Sequence, residues 1–185
     1  MIRVGIILGS TRPGRNGEAV ARWVHDLAVK RGDAAYEVVD LADFELPHLD
    51  EPQAAASGDY RHEHTRRWAD KIASFDAFVF VTPEYNHSFP GVLKTAVDFL
   101  YAEWGNKAAG FVGYGVDGGV RAVEHLRHVL AMLGVATVPA QVTLSYWTDF
   151  ENGVDFNPAA LHEERLGMVL DQVLAWGGAL LPLRA

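Results

Sequence analysis

The stretch VGIILGSTRPGRNG, residues 4–17, decides how the fold of this chain is interpreted. Its first five residues are almost all apolar and include β-branched side chains, which is typical of a strand buried in a parallel sheet. Gly9 ends that run, and the polar segment as far as Gly17 predicts a loop. Residues 18–31 carry apolar side chains at helical spacing and are followed by Gly32, a residue that often ends helices. The stretch therefore predicts a strand–loop–helix unit.

The same alternation recurs along the chain. Further strands are predicted over residues 36–41, 77–81, 107–113 and 135–144, with Pro139 as the place for a kink in the last of them. Further helices are predicted over residues 60–74, 90–100, 120–133 and 158–175. A long connection is predicted over residues 44–59, a polar stretch over 148–157, and a tail that contains Gly177, Gly178 and Pro182.

Five strands that alternate with helices predict an α/β fold. We expect a flavodoxin-like, doubly wound sheet of five parallel strands in the order 2-1-3-4-5, with helices on both faces. A six-stranded dinucleotide-binding sheet is the alternative. A length of 185 residues predicts a single domain, residues 1–185.

Composition excludes several classes of function. Sixteen Lys and Arg against 24 Asp and Glu give a net charge of −8, which argues against nucleic acids and anionic membranes as partners. The absence of cysteine removes thiol chemistry and Cys-ligated zinc, and it fits a reducing compartment. The apolar N-terminus is too short for a signal peptide, and we find no run approaching the roughly 20 apolar residues of a membrane span. We therefore expect a soluble, cytoplasmic protein.

The first loop, residues 9–17, has the character of a phosphate site. A helix N-terminus favours anions, and this loop adds the hydroxyls of Ser10 and Thr11, the amide of Asn16 and the charges of Arg12 and Arg15. The loop lacks the lysine and hydroxyl of a Walker A motif and the spacing of a dinucleotide fingerprint, so it predicts a terminal monophosphate held without metal. A solvated turn is the alternative, and Arg15 is interpreted as a residue that could face solvent.

Two further loops should meet the first at the carboxyl edge of the sheet, where such folds bind ligands. In TPEYNHSFPG, residues 82–91, two prolines and a glycine fix a backbone that can be directed at a planar polar ring, with Tyr85 and Phe89 available for stacking. Glu84 is expected to bond backbone groups, and His87 is expected to be exposed. In YGVDGGVR, residues 114–121, three glycines suit a close approach to a ligand.

These segments resemble the NAD(P)H-dependent FMN reductase family, which includes quinone, azo-dye and chromate reductases. The resemblance runs from the first strand to about residue 145. It rests on Gly9-Ser10-x-Arg12, on Pro83-Glu84-Tyr85-Asn86 followed by Pro90-Gly91, and on Gly118-Gly119-x-Arg121. It implies that FMN is the cofactor, with its phosphate at Ser10, Arg12, Asn16 and Gly17. It further implies that the flavin ring lies along Pro83, Glu84, Tyr85 and Asn86, with Tyr114, Gly115 and Gly118 at its other side.

The resemblance also implies a function. Electrons would pass from NADPH or NADH to FMN and on to a quinone, azo dye, metal oxyanion or free flavin by a ping-pong mechanism, in a homodimer or homotetramer. Because the cofactor carries this chemistry, no catalytic acid, base or metal site is assigned. The alternative is a flavodoxin-like FMN electron carrier without NAD(P)H turnover. A phosphate-binding domain without flavin and a nucleotide hydrolase rank below it.

Overall fold

The computed structural model describes residues 1–184, so Ala185, the last residue of the predicted domain, lies outside it. Five parallel strands form one sheet in the order β2-β1-β3-β4-β5. This is the predicted flavodoxin-like order, and the prediction is confirmed. The strands are β1 Arg3–Leu8, β2 Ala35–Asp40, β3 Ala77–Pro83, β4 Ala108–Gly115 and β5 Ala136–Ser145.

Helices cover both faces of the sheet, as predicted. They are α1 Gly17–Arg31, α2 Glu63–Ala73, α3 Gly91–Asp98, α4 Val120–Met132 and α5 Leu161–Leu180. On one face, α1 and α5 pack on side chains such as Val4, Ile6 and Val79. On the other face, α2, α3 and α4 pack on Ile7, Phe78 and Phe80. Successive strand residues point to opposite faces, so the apolar runs supply both cores at once.

The third loop begins later than predicted. The sequence predicts Tyr114 and Gly115 in a loop, but β4 extends through both, and they pair with Leu144 and Ser145 of β5. At Pro139, where the sequence predicts a kink, the pairing of β5 with β4 shifts in register between Ala109 and Phe111. Proline cannot donate to a ladder, and β5 is an edge strand, where such irregularities are tolerated.

A small hairpin interrupts the predicted polar stretch. Its strands are β6 Phe150–Glu151 and β7 Asp155–Phe156, which pair antiparallel. Asn152 and Gly153 both have positive φ, at 52° and 72°. That is the backbone of the type I′ turn that Asn-Gly favours, so the sequence carried a signal for this hairpin.

Helix α5 is longer than predicted, because Gly177 and Gly178 lie inside it and do not end it. A methyl group on Gly177 would lie 3.2 Å from Ala77 Cβ, so the glycine lets the helix approach the sheet closely. The segment Leu161–Arg184 is long and apolar enough to cross a membrane by length and composition, with a mean hydropathy of 1.4. This corrects the expectation that the sequence contains no run of that length. Four of the apolar residues of α5, Leu166, Val169, Leu170 and Val173, are buried in the core on the face of the sheet that it shares with α1.

Candidate functional site

Hydrogen bonds join the segments that follow β1, β3 and β4 at the carboxyl edge of the sheet. The Gly9 amide donates to the Val81 carbonyl over 2.9 Å. The Ser10 and Tyr85 hydroxyls lie 2.9 Å apart, and the Glu84 amide donates to the Tyr114 carbonyl over 3.0 Å. The structure therefore brings together the three segments predicted to form one site.

Arg15 does not face solvent, contrary to its sequence interpretation. Its side chain is only 7% exposed. Its guanidinium donates to the Ser10 carbonyl, to the Asp40 carboxylate at the end of β2, and to Glu18 on the first turn of α1. Arg15 therefore ties the first loop to β2 and α1, and its charge is balanced within the protein.

Arg12 is the arginine of the first loop that is available to a ligand. It is exposed, and within residues 1–184 its guanidinium has no hydrogen bond or ion pair. Asn16, at the N-cap position of α1, does not cap the helix with its side chain, which donates to the Gly153 carbonyl over 2.9 Å. The first-turn amides of α1 thus lack a side-chain acceptor and remain suited to an anion.

Gly17 sits in a tight contact between α1 and the sheet. A methyl group there would lie 2.6 Å from the Tyr114 hydroxyl and 2.7 Å from Leu8 Cδ1. Tyr114 itself is 1% exposed, and its hydroxyl has no hydrogen-bond partner within residues 1–184. Burial raises the pKa of this hydroxyl far above its usual value, so Tyr114 is neutral. Close packing requires the glycine whether or not a ligand is bound.

Glu84 is a bridge between the second loop and α4. Its carboxylate is 7% exposed and accepts hydrogen bonds from the backbone amide and the side chain of Arg121. It therefore meets the N-terminal turn of α4 and neutralises Arg121. This agrees with the expectation that Glu84 bonds backbone groups, but the backbone amide belongs to α4 and not to the loop that carries Glu84.

A tight turn presents Asn86 and His87. Tyr85 and Ser88 exchange backbone hydrogen bonds of 2.8 and 3.1 Å, and the two residues between them have positive φ. The amides of Asn86 and His87 have no protein acceptor within residues 1–184. His87 is exposed, as expected. Pro83, the residue that ends β3, is buried. The turn therefore holds free N–H donors on a fixed backbone.

Two glycines fold the third loop back onto β4 and β5. Gly118 and Gly119 have φ values of 72° and 69°, a region that favours glycine. A methyl group would lie 2.9 Å from Thr143 Cβ at Gly118, and 2.6 Å from the Tyr114 amide nitrogen at Gly119. The neighbouring Gly115 is buried in β4, with the Glu84 side chain close by. The glycines are thus explained by packing within the protein.

A fourth segment, after β5, also reaches the site and was missed by sequence reasoning. The Tyr146 amide donates to the Gly115 carbonyl over 2.9 Å, and the Ser145 hydroxyl donates to the Val116 carbonyl over 2.9 Å. Asp149, 1% exposed, accepts from the Ser145 amide at 2.9 Å and lies 2.9 Å from His162 of α5. The position of this segment in the sequence could have indicated it, because β5 ends at the same carboxyl edge of the sheet as the other parallel strands.

The chemistry of the donors fits a flavin mononucleotide. An uncapped helix N-terminus and the free Arg12 match a phosphate group, and the free amides of the Tyr85–Ser88 turn match the carbonyl and ring-nitrogen acceptors of an isoalloxazine. A buried Tyr114 hydroxyl without an acceptor lies beside the same helix start. Within residues 1–184, no cluster of three or more His, Asp or Glu side chains could hold a metal ion.

Comparison with known proteins identifies the family of this chain. The family model of NADPH-dependent FMN reductases matches residues 2–149. An NAD(P)H-dependent FMN reductase of Schizosaccharomyces pombe is 38% identical over 89% of this chain and 84% of its own length. A 2-hydroxy-1,4-benzoquinone reductase of Burkholderia is 29% identical over 95% and 96%. The flavoenzyme NAD(P)H:acceptor oxidoreductase FerB of Paracoccus denitrificans superposes with a TM-score of 0.74 at 25% identity, covering 97% and 98%.

Fold, site and relatives define the class, which is a flavodoxin-like oxidoreductase. Within that class, the chain belongs to the NADPH-dependent FMN reductase family. FMN and a nicotinamide co-substrate are the partners by which this family is defined, so the predicted cofactors are confirmed.

Proposed function

We propose that this protein takes electrons from NADPH or NADH and delivers them to a small-molecule acceptor, with a quinone as the first class to test. The observation that carries the proposal is the convergence of free donors at one sheet edge, around Arg12, the start of α1 and the Tyr85–Ser88 turn. A quinone is favoured because a relative that matches nearly the whole chain is named as a benzoquinone reductase. Azo dyes, metal oxyanions and free flavins are the other acceptors implied by the resemblance.

The residues of the site divide into ligand-facing and supporting groups. We propose that Ser10, Arg12 and the amides at Asn16 and Gly17 hold the phosphate, and that Tyr85 and Asn86 border the ring. The side chains of Glu84 and Tyr114 are buried or paired inside the protein, so we assign them, with Pro83, Gly115 and Gly118, to the support of the loops. Bound FMN would accept a hydride equivalent and would then release two electrons. This chemistry requires no protein nucleophile.

Three further expectations stay predictions: a homodimer or homotetramer, a cytoplasmic location, and one domain over residues 1–185. A groove of about 480 Å³ beside the second loop is lined by Ser88, Phe89, Lys94, His125, His128 and Val129. Its lining residues belong to the second loop, to α3 and to α4. Light scattering of the FMN-loaded protein measures the assembly directly.

Steady-state kinetics test the proposed reaction. Initial rates are measured with NADPH and 1,4-benzoquinone varied against each other. A ping-pong reaction gives parallel double-reciprocal lines, because the nicotinamide leaves before the acceptor binds. Intersecting lines contradict that mechanism. If the protein binds FMN but oxidises neither NADPH nor NADH, the proposed reductase function is wrong, and the protein is an FMN electron carrier.

A further inference from the structure

Tyr146 lies in a part of the chain to which the resemblance assigned no ligand contact. Its ring packs on Tyr114 with centroids 6.4 Å apart and on Phe150 at 5.1 Å, both in edge-to-face geometry. Its amide is fixed by the 2.9 Å hydrogen bond to the Gly115 carbonyl. The Tyr146 ring therefore stands beside the third loop in one defined position.

The turn that carries Tyr146 is firmly anchored. The Asp149 carboxylate accepts hydrogen bonds from the Ser145 amide and the Thr148 hydroxyl, both at 2.9 Å. It also accepts from the Ala159 amide at 3.2 Å and lies 2.9 Å from His162 Nε2. These contacts bind the residue 145–149 turn to the start of α5, so Tyr146 is presented from a rigid base.

The Tyr146 side chain lies near the end of the first loop, because its ring packs on Tyr114 and the Tyr114 hydroxyl lies against Gly17. Burial raises the pKa of the Tyr146 hydroxyl, and the charge of Arg12 and the amide of Asn16 act against that rise. Both residues belong to the proposed phosphate site. The Asn16 amide acts as a hydrogen-bond donor to the Tyr146 hydroxyl, which leaves the hydroxyl's own hydrogen free to donate. The buried Tyr114 hydroxyl beside it has no hydrogen-bond partner within residues 1–184.

The neighbouring carboxylates are already engaged. Asp40 and Glu18 are paired with Arg15, and Glu84 is paired with Arg121. What remains at the start of α1 is a surplus of donors: a free guanidinium, uncapped amides and a tyrosine hydroxyl. A group with several anionic acceptor oxygens satisfies such a set, and a terminal phosphate monoester is one.

We propose that the Tyr146 hydroxyl donates a hydrogen bond to the phosphate of bound FMN and thereby helps the protein to prefer FMN over riboflavin. The inference rests on the proposed function, since it assumes that the first loop holds the FMN phosphate. It adds a specificity residue from the segment after β5.

Titration of the flavin-free protein with FMN and, separately, with riboflavin tests this role through the quenching of flavin fluorescence. Tyr146→Phe keeps the ring and its packing and removes only the hydroxyl. We expect its affinity for FMN to fall about tenfold, because a hydrogen bond to a charged group is lost, while its affinity for riboflavin stays unchanged. Tyr36→Phe is the matched control at the opposite end of the sheet, where the Tyr36 hydroxyl donates to Asp33 over 2.7 Å. It should bind both flavins as the wild type does.

The outcomes separate this inference from the proposed function. Equal losses for both flavins, or no loss for FMN, overturn the role of Tyr146 alone, provided that the wild type prefers FMN. A wild type that binds FMN no more tightly than riboflavin, or binds neither, overturns the phosphate site and Tyr146 with it. Tyr146→Leu is the second variant should Phe disturb folding, and the same loss specific to FMN is expected.

Discussion

At the scale of single residues, the two arginines of the first loop have opposite roles. Arg12 is exposed and unpaired within the described residues, whereas Arg15 is buried and bonded to three oxygens from three parts of the chain. The sequence shows two similar side chains three residues apart. Only the fold places Asp40 beside one of them, because Asp40 belongs to a different strand.

Replacing Arg15 by Gln should reduce stability. Without the Arg15 guanidinium, the Asp40 carboxylate, which is 22% exposed, has lost the cation that it pairs with. We expect the free energy of unfolding to fall by about 1–3 kcal/mol, between the values for exposed and buried ion pairs. Urea unfolding of the flavin-free protein measures it.

Arg12→Gln is the matched control for Arg15→Gln. An exposed arginine without protein partners should change stability by no more than about 0.5 kcal/mol when replaced. Because Arg12 belongs to the proposed phosphate site, we expect Arg12→Gln to weaken FMN binding. If both variants lose stability equally, the distinction between a structural and a ligand-facing arginine is wrong.

At the scale of secondary-structure elements, the site depends on how closely the helices approach the sheet. Helices α1 and α3 both begin at a glycine, but the two positions differ. At Gly17 a methyl group meets Tyr114 and Leu8, while at Gly91 no atom lies within 4 Å of it. One glycine is required by packing and the other is not.

Gly17→Ala should therefore be destabilising, by about 1–3 kcal/mol, since a methyl group is forced into a filled contact. Gly91→Ala should leave stability unchanged or raise it by up to about 1 kcal/mol, because it restricts the unfolded chain without a clash. Thermal unfolding of the two variants decides the matter, and equal midpoints would refute the packing argument.

The contacts of Asp149 at the junction of β5 with α5 should make the free energy of unfolding depend on pH. Burial raises the pKa of Asp149, but hydrogen bonds from Ala159, Ser145 and Thr148 and the charge of His162 outweigh it and hold the pKa below its usual value. A lowered pKa in the folded state stabilises the protein above the usual aspartate pKa of about 3.9, and this stabilisation is lost as the pH falls through the folded value.

Asp149→Asn tests that dependence. The wild type should be the more stable protein at pH 7, by about 1–3 kcal/mol, and the difference should shrink as the pH falls below about 4. Urea unfolding across that range measures it. A difference that is independent of pH would show that the charge of Asp149 is not what holds the junction.

At the scale of the whole molecule, the sequence predicts the architecture better than the details of the site. Apolar strands that alternate with helical segments predict the fold and its strand order, and the position of the loops at the carboxyl edge of the sheet predicts which of them meet. The partner of Arg15, the bond of Asn16 to Gly153 and the position of Tyr146 could not be predicted, because each depends on a contact between distant segments. The Asn152-Gly153 hairpin was readable, since its turn has a local signature.

One measurement tests the central claim most directly, namely the absorbance spectrum of the FMN-loaded protein under anaerobic conditions before and after NADPH is added. The account predicts visible flavin bands that bleach promptly and return when a quinone is supplied. Bands that stay oxidised with NADPH and with NADH alike would contradict it, and would leave a protein that binds FMN without the reductase activity of its family.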